Sequence, residues 1–104
     1  MEAKRVVTAL LVDDDPASRK RNEESLKDRG YLVTMASDAG SALDVAKQSS
    51  SSVIFLHMDA RGSGRAGLIS ALRANDNTRH VPIVFLADRS PGRAGLTPVG
   101  RDGW

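Results

Sequence analysis

Arg5-Val6-Val7-Thr8-Ala9-Leu10-Leu11-Val12 runs without a break into Asp13-Asp14-Asp15-Pro16. The stretch before the acids is rich in β-branched and aliphatic residues and is long enough for one buried strand. It stops at the three acids. Asp15 is then placed as a helix N-cap and Pro16 at the first helical position, where a missing N–H costs nothing. A strand that hands an acidic cluster straight to a helix start is the opening of a β-α unit. In a parallel sheet the functional crevice lies at the carboxyl ends of such strands.

Further along, the same alternation repeats. The first helix should end at Gly30; its expected inward positions include Ser18, Arg21, Asn22 and Ser25, leaving chiefly Ala17 and Leu26 as apolar contacts. It should therefore pack loosely. Tyr31 to Ala36 is a second short strand, and Asp38 can cap a second helix in which Ala39, Ala42, Leu43 and Ala46 form one apolar stripe before the serine run Ser49 to Ser52. Val53 to Met58 has no polar alternation until His57, as expected of a strand covered on both faces. Leu68, Ile69 and Leu72 mark a third helix ending near Asn75, and Val81 to Ala87 is a fourth strand. This order predicts an α/β fold with a parallel sheet. Its strand ends would gather Asp13, Asp14, His57, Asp59 and Ala87.

Composition excludes several classes. The chain has 104 residues, the length of one small domain, and its 40% hydrophobic and 27% charged residues suit a soluble globular protein. The apolar runs are too short to cross a bilayer, and Met1 to Arg5 leads directly into the strand without the features of a secretory signal. There are no cysteines, which fits a cytoplasmic protein. The net charge is only +2, with acids and bases interspersed, and the aromatics are Tyr31, Phe55, Phe85 and Trp104. Neither nucleic acid nor membrane is implied as a partner.

Leu10-Leu-Val-Asp-Asp-Asp-Pro16 resembles the opening of response-regulator receiver domains, in which the first strand ends in an acidic pair that binds magnesium. Arg29-Gly-Tyr31, Ala36 to Leu43, and Leu72 to Asp76 leading to Val81 to Leu86 are similar landmarks of that family in the same order. The resemblance covers residues 5 to 87. It implies a flavodoxin-like (CheY-like) α/β receiver with strand order 2-1-3-4 for residues 1–87, and a divergent Pro/Gly-rich tail for residues 88–104. It also implies two-component signal transduction, with no enzymatic turnover and a signalling protein as partner.

Transferred residue by residue, the match is uneven. Asp13 and Asp14 fall on the acidic pair, whereas the phosphoacceptor position, counted from Asp14 or from Pro82, is His57. The switch hydroxyl is replaced by Ala87, and the family's lysine has no counterpart because no fifth strand can be found. Phosphoryl transfer needs a carboxylate nucleophile beside a divalent cation, with a second cation and a hydroxyl to hold the incoming oxygens. Imidazole is a poor ligand for a hard ion such as magnesium. A histidine between Asp13 and Asp14 is better suited to act as an internal counter-ion. The expectation is a degenerate pseudo-receiver with no cofactor, or at most weak magnesium at Asp13 and Asp14.

Three other readings compete. Asp59 is a candidate displaced acceptor, although it lies about 6.6 Å further along the strand than His57. His57 with Asp13 and Asp14 could hold a transition metal, but no fixed ligand spacing supports it. Gly62-Ser-Gly-Arg-Ala-Gly67 satisfies the dinucleotide-binding pattern, with Asp88 as the acidic residue beyond it.

From Asp88 onward no helical or strand period is visible, and the receiver pattern is truncated after its fourth strand, the fifth strand and last helices being missing or replaced. Pro91 and Pro98 cannot donate backbone hydrogen bonds, so the tail is expected to cover a face rather than form a strand. That would leave the fourth strand as an open edge and favour a homodimer through it.

Overall fold

The structure is a computed structural model that describes residues 6–57, 63–86 and 98–101. Its elements follow the order β1 (Val7–Asp13), α1 (Pro16–Asp28), β2 (Tyr31–Ala36), α2 (Ala39–Gln48), β3 (Val53–His57), α3 (Ser63–Ala74), β4 (Ile83–Leu86) and β5 (Pro98–Arg101). The sheet order is β2-β1-β3-β4-β5, and the first four strands are parallel. This is the expected α/β order. β1 and β3 are in register from Ala9 opposite Val53 to Asp13 opposite His57, so the acid and the histidine finish neighbouring strands.

The helix ends follow from local chemistry. Asp15 Oδ2 accepts from the Ser18 amide at 2.9 Å, and Pro16 opens α1. Asp38 Oδ1 caps α2 through the Ser41 amide at 2.8 Å. Gly30 takes a φ of 94°, a left-handed conformation that side chains resist, and turns the chain from α1 into β2.

Two apolar layers sandwich the sheet. Leu10, Val12, Ile54, Leu56 and Ile83 face α2 and α3, whose Ala42, Ala46, Leu68 and Leu72 complete that side. On the other face Ala9, Leu11, Phe55 and Leu86 lie with Leu26 of α1. Tyr31 reaches Phe55 edge-on at a centroid distance of 5.5 Å.

Three expectations change. Ala17 and Arg21 are exposed, so Leu26 is the only apolar residue of α1 that is buried. β4 is shorter than the apolar run from Val81, because Pro82 lacks a donor and its carbonyl alone serves the sheet, accepting from the Ile54 amide. The tail also contributes a strand: β5 pairs antiparallel with β4, Val84 opposite Arg101 and Phe85 opposite Gly100, with a register shift between Phe85 and Leu86. Pro98 is tolerated there because it opens a strand that, among the described residues, pairs on one side only. The edge on which pairing through β4 was expected is therefore occupied by the chain itself, and that basis for a homodimer falls away. No described helix is long and apolar enough to cross a membrane.

Candidate functional site

Asp13 is the last residue of β1, and its side chain is fully buried. Burial pushes its carboxyl upward, but hydrogen bonds from His57, Ser18 and the Asp15 amide, together with the electrostatic attraction of His57, outweigh it and hold the carboxyl below its ordinary value. The group is thus a carboxylate and can only accept hydrogen bonds. Among the described residues its oxygens meet four donors. Oδ1 accepts from the Asp15 amide at 3.0 Å and lies 3.1 Å from His57 Nδ1. Oδ2 accepts from Ser18 Oγ at 2.6 Å and from Asn22 Nδ2 at 3.2 Å. Against an acceptor-only partner, His57 Nδ1 must carry its proton, and it lies 3.4 Å from Ser18 Oγ as well.

The sequence-selected residues separate here. Asp13 and His57 are brought together, whereas Asp14, one residue on, is exposed. Asp59, Ala87 and Asp88 lie outside the described residues, as do Met58 and Gly62. Among the described residues no group of three or more His, Cys, Asp or Glu could hold a metal ion. Gly64 and Gly67 lie within α3 rather than in a phosphate-cradling loop. At Gly67 a Cβ would meet nothing within 4 Å, so the close approach for which the dinucleotide pattern needs its last glycine is not present. Arg65, from the same motif, lies over the Phe85 ring at 4.4 Å.

Sequence reasoning missed the contribution of α1. Ser18 and Asn22, one helical turn apart, both reach Asp13 Oδ2, and Arg19 Nη1 donates to the Asp13 backbone carbonyl at 3.0 Å. Polar residues at inward positions right after an acidic strand end were the available signal. In the sequence they signal poor packing; in the structure they are the partners of the buried acid.

The magnesium of the receiver family does not fit this arrangement. That ion prefers oxygen ligands in near-octahedral geometry at about 2.0–2.1 Å. Asp13 is buried, and both of its oxygens are committed to N–H and O–H donors.

No protein-family model matches the chain. It is 31% identical over 97 residues to the nitrate/nitrite response regulator protein NarP of Escherichia coli, which covers 91% of this chain and 45% of NarP. Among solved structures it is similar to the chemotaxis response regulator CheY4 of Vibrio cholerae, with a TM-score of 0.72 at 27% identity, covering 84% of this chain and 73% of that one. It is also similar to the receiver domain of the sensor histidine kinase PA1611 from Pseudomonas aeruginosa, a structure with magnesium coordinated in its active-site cleft. There the TM-score is 0.73 at 26% identity, covering 85% and 72% of the two chains. The chain spans less than half the length of the curated relatives it matches. Fold, strand-end placement of Asp13 and His57, and these likenesses agree: the chain is a receiver domain of the response-regulator type.

Proposed function

We propose that this receiver domain acts in two-component signalling as a phosphorylation-independent protein-interaction module, a pseudo-receiver without enzymatic turnover. The observation that carries the reading is the pairing of His57, at the phosphoacceptor position, with buried Asp13. A phosphoryl group arriving there would meet an imidazole whose Nδ1 is bonded to the acid that would otherwise serve a cation. Ala87 offers no hydroxyl to hold its oxygens. The partner is a signalling protein of the same type of pathway, in the cytoplasm, recognised by the shape of the domain rather than by a phosphoryl-driven change. Magnesium has at most a weak role.

Intact-mass analysis of the chain after treatment with acetyl phosphate and magnesium tests this. The expected result is no added phosphoryl group. A phosphoryl adduct mapping to Asp59 would make the domain a working receiver with a displaced acceptor, and one on His57 would replace carboxyl-phosphate chemistry by phosphoimidazole chemistry.

A further inference from the structure

Ser18 lies six-hundredths exposed in the first turn of α1 and carries the shortest contact of the acidic cluster, 2.6 Å from Oγ to Asp13 Oδ2. Such a distance belongs to a charge-assisted hydrogen bond, which is stronger than a neutral one. Asn22 Nδ2 takes the second position on the same oxygen, and His57 Nδ1 and the Asp15 amide take the other oxygen. A carboxylate has about four lone-pair sites, so this one is saturated by the chain's own donors. The donors come from α1, from β3 and from the turn between β1 and α1. Leu26 is the only buried apolar residue of α1, and the amino-terminal half of that helix meets the sheet through polar contacts, this cluster and the Arg19 bond to the Asp13 carbonyl.

We infer that Ser18, supported by Asn22, is a positioning residue that takes the place of a divalent cation on Asp13, closing the acidic pocket to metal and seating α1 without it. This deepens the reading of the domain as a pseudo-receiver and rests on it. The histidine substitution removes one carboxylate, and the two α1 donors commit the one that remains buried. His57 and Ser18 then act in series. Returning an acid at position 57 restores a carboxylate to the pocket, but a cation must still displace the Ser18 hydroxyl to reach Asp13 Oδ2.

The test is magnesium titration by calorimetry, with thermal unfolding in EDTA and in magnesium, on the full chain and three variants. The wild type should give no binding heat and the same melting temperature in both buffers. His57→Asp should acquire weak magnesium binding. His57→Asp combined with Ser18→Ala should bind about tenfold more tightly than His57→Asp alone, the weight of one charge-assisted hydrogen bond removed from competition. His57→Asp with Ser18→Thr keeps the hydroxyl and should return the affinity to that of His57→Asp. Magnesium stabilisation of the wild type would overturn the inference, and so would an unchanged affinity on removing the Ser18 hydroxyl. The wild-type melt needs no variant to fold, so it can overturn the inference even if the alanine protein is unstable, and the Ser18→Thr protein then reports on the hydroxyl. A wild type that binds magnesium yet takes no phosphoryl group would sink this inference alone, whereas phosphorylation would sink the pseudo-receiver reading.

Discussion

His57 Nδ1 lies 3.1 Å from Asp13 Oδ1, joining the last residue of β3 to the last residue of β1 inside the sheet's carboxyl end. Because the Asp13 carboxyl is held below its ordinary value of 3.8, its folded form releases a proton more readily than its unfolded form. The stability this contributes is fully present above the unfolded value and is lost as pH falls through the lower folded value. Asp13→Asn should remove that acid-side dependence and cost about 3 kcal/mol, since an amide cannot accept from all of the donors that converge on this site. Urea unfolding of wild type and variant from neutral pH into the acid range measures both effects. Parallel stability profiles for the two proteins would show that Asp13 is not the linked group.

Leu26 is the only apolar anchor of α1, fully buried against Ala9, Leu11 and Phe55. Leu26→Ala should destabilise the domain by about 3 kcal/mol through lost burial and a residual cavity. Exposed Ala17 in the same helix should tolerate Ala17→Ser within about 0.5 kcal/mol. Chemical denaturation of the pair separates an anchored helix from one that is loosely attached.

Thr78 is buried in the turn after α3, where its Oγ1 donates to the Leu72 carbonyl at 2.6 Å. The nearby Arg73 guanidinium holds the carbonyls of Arg79 and Val81 at 2.8 and 2.9 Å, so the segment leading into β4 is fixed by side chains. Thr78→Val keeps the volume and removes the donor; the expected loss is about 1–2 kcal/mol. A melting temperature equal to that of the wild type would show that the Leu72 carbonyl finds another donor.

β5 supplies the hydrogen-bonding partner of β4 on its outer side. Deleting residues 98–104 should uncover the edge of Ile83–Leu86, whose residues are all apolar, and such an edge recruits other strands. Light scattering should then report stronger concentration-dependent association for the shortened chain than for the full chain. Equal behaviour of the two chains would mean that the β4–β5 pairing does not control assembly.

What the sequence determined by itself is local or periodic: the aliphatic run ending at Asp13, the Asp15-Pro16 and Asp38 helix starts, the Gly30 stop, and the strand-helix alternation of a parallel α/β sheet, whose 2-1-3-4 order was implied only by the receiver resemblance. Those signals lie within a few residues of the features they specify, so one chain suffices to read them. The resemblance, rather than any local signal, is what proposes His57 for the acceptor position. Which groups meet Asp13 was decided only in the tertiary structure, because Ser18 and Asn22 become partners of the acid when α1 is laid across the end of β1. Isolated in the sequence, they are polar residues on an inward helix face, a sign of weak packing. β5 was hidden for a related reason: a short strand with Pro98 and Gly100 has little strand propensity of its own, and its pairing comes from the waiting backbone edge of β4, far away along the chain.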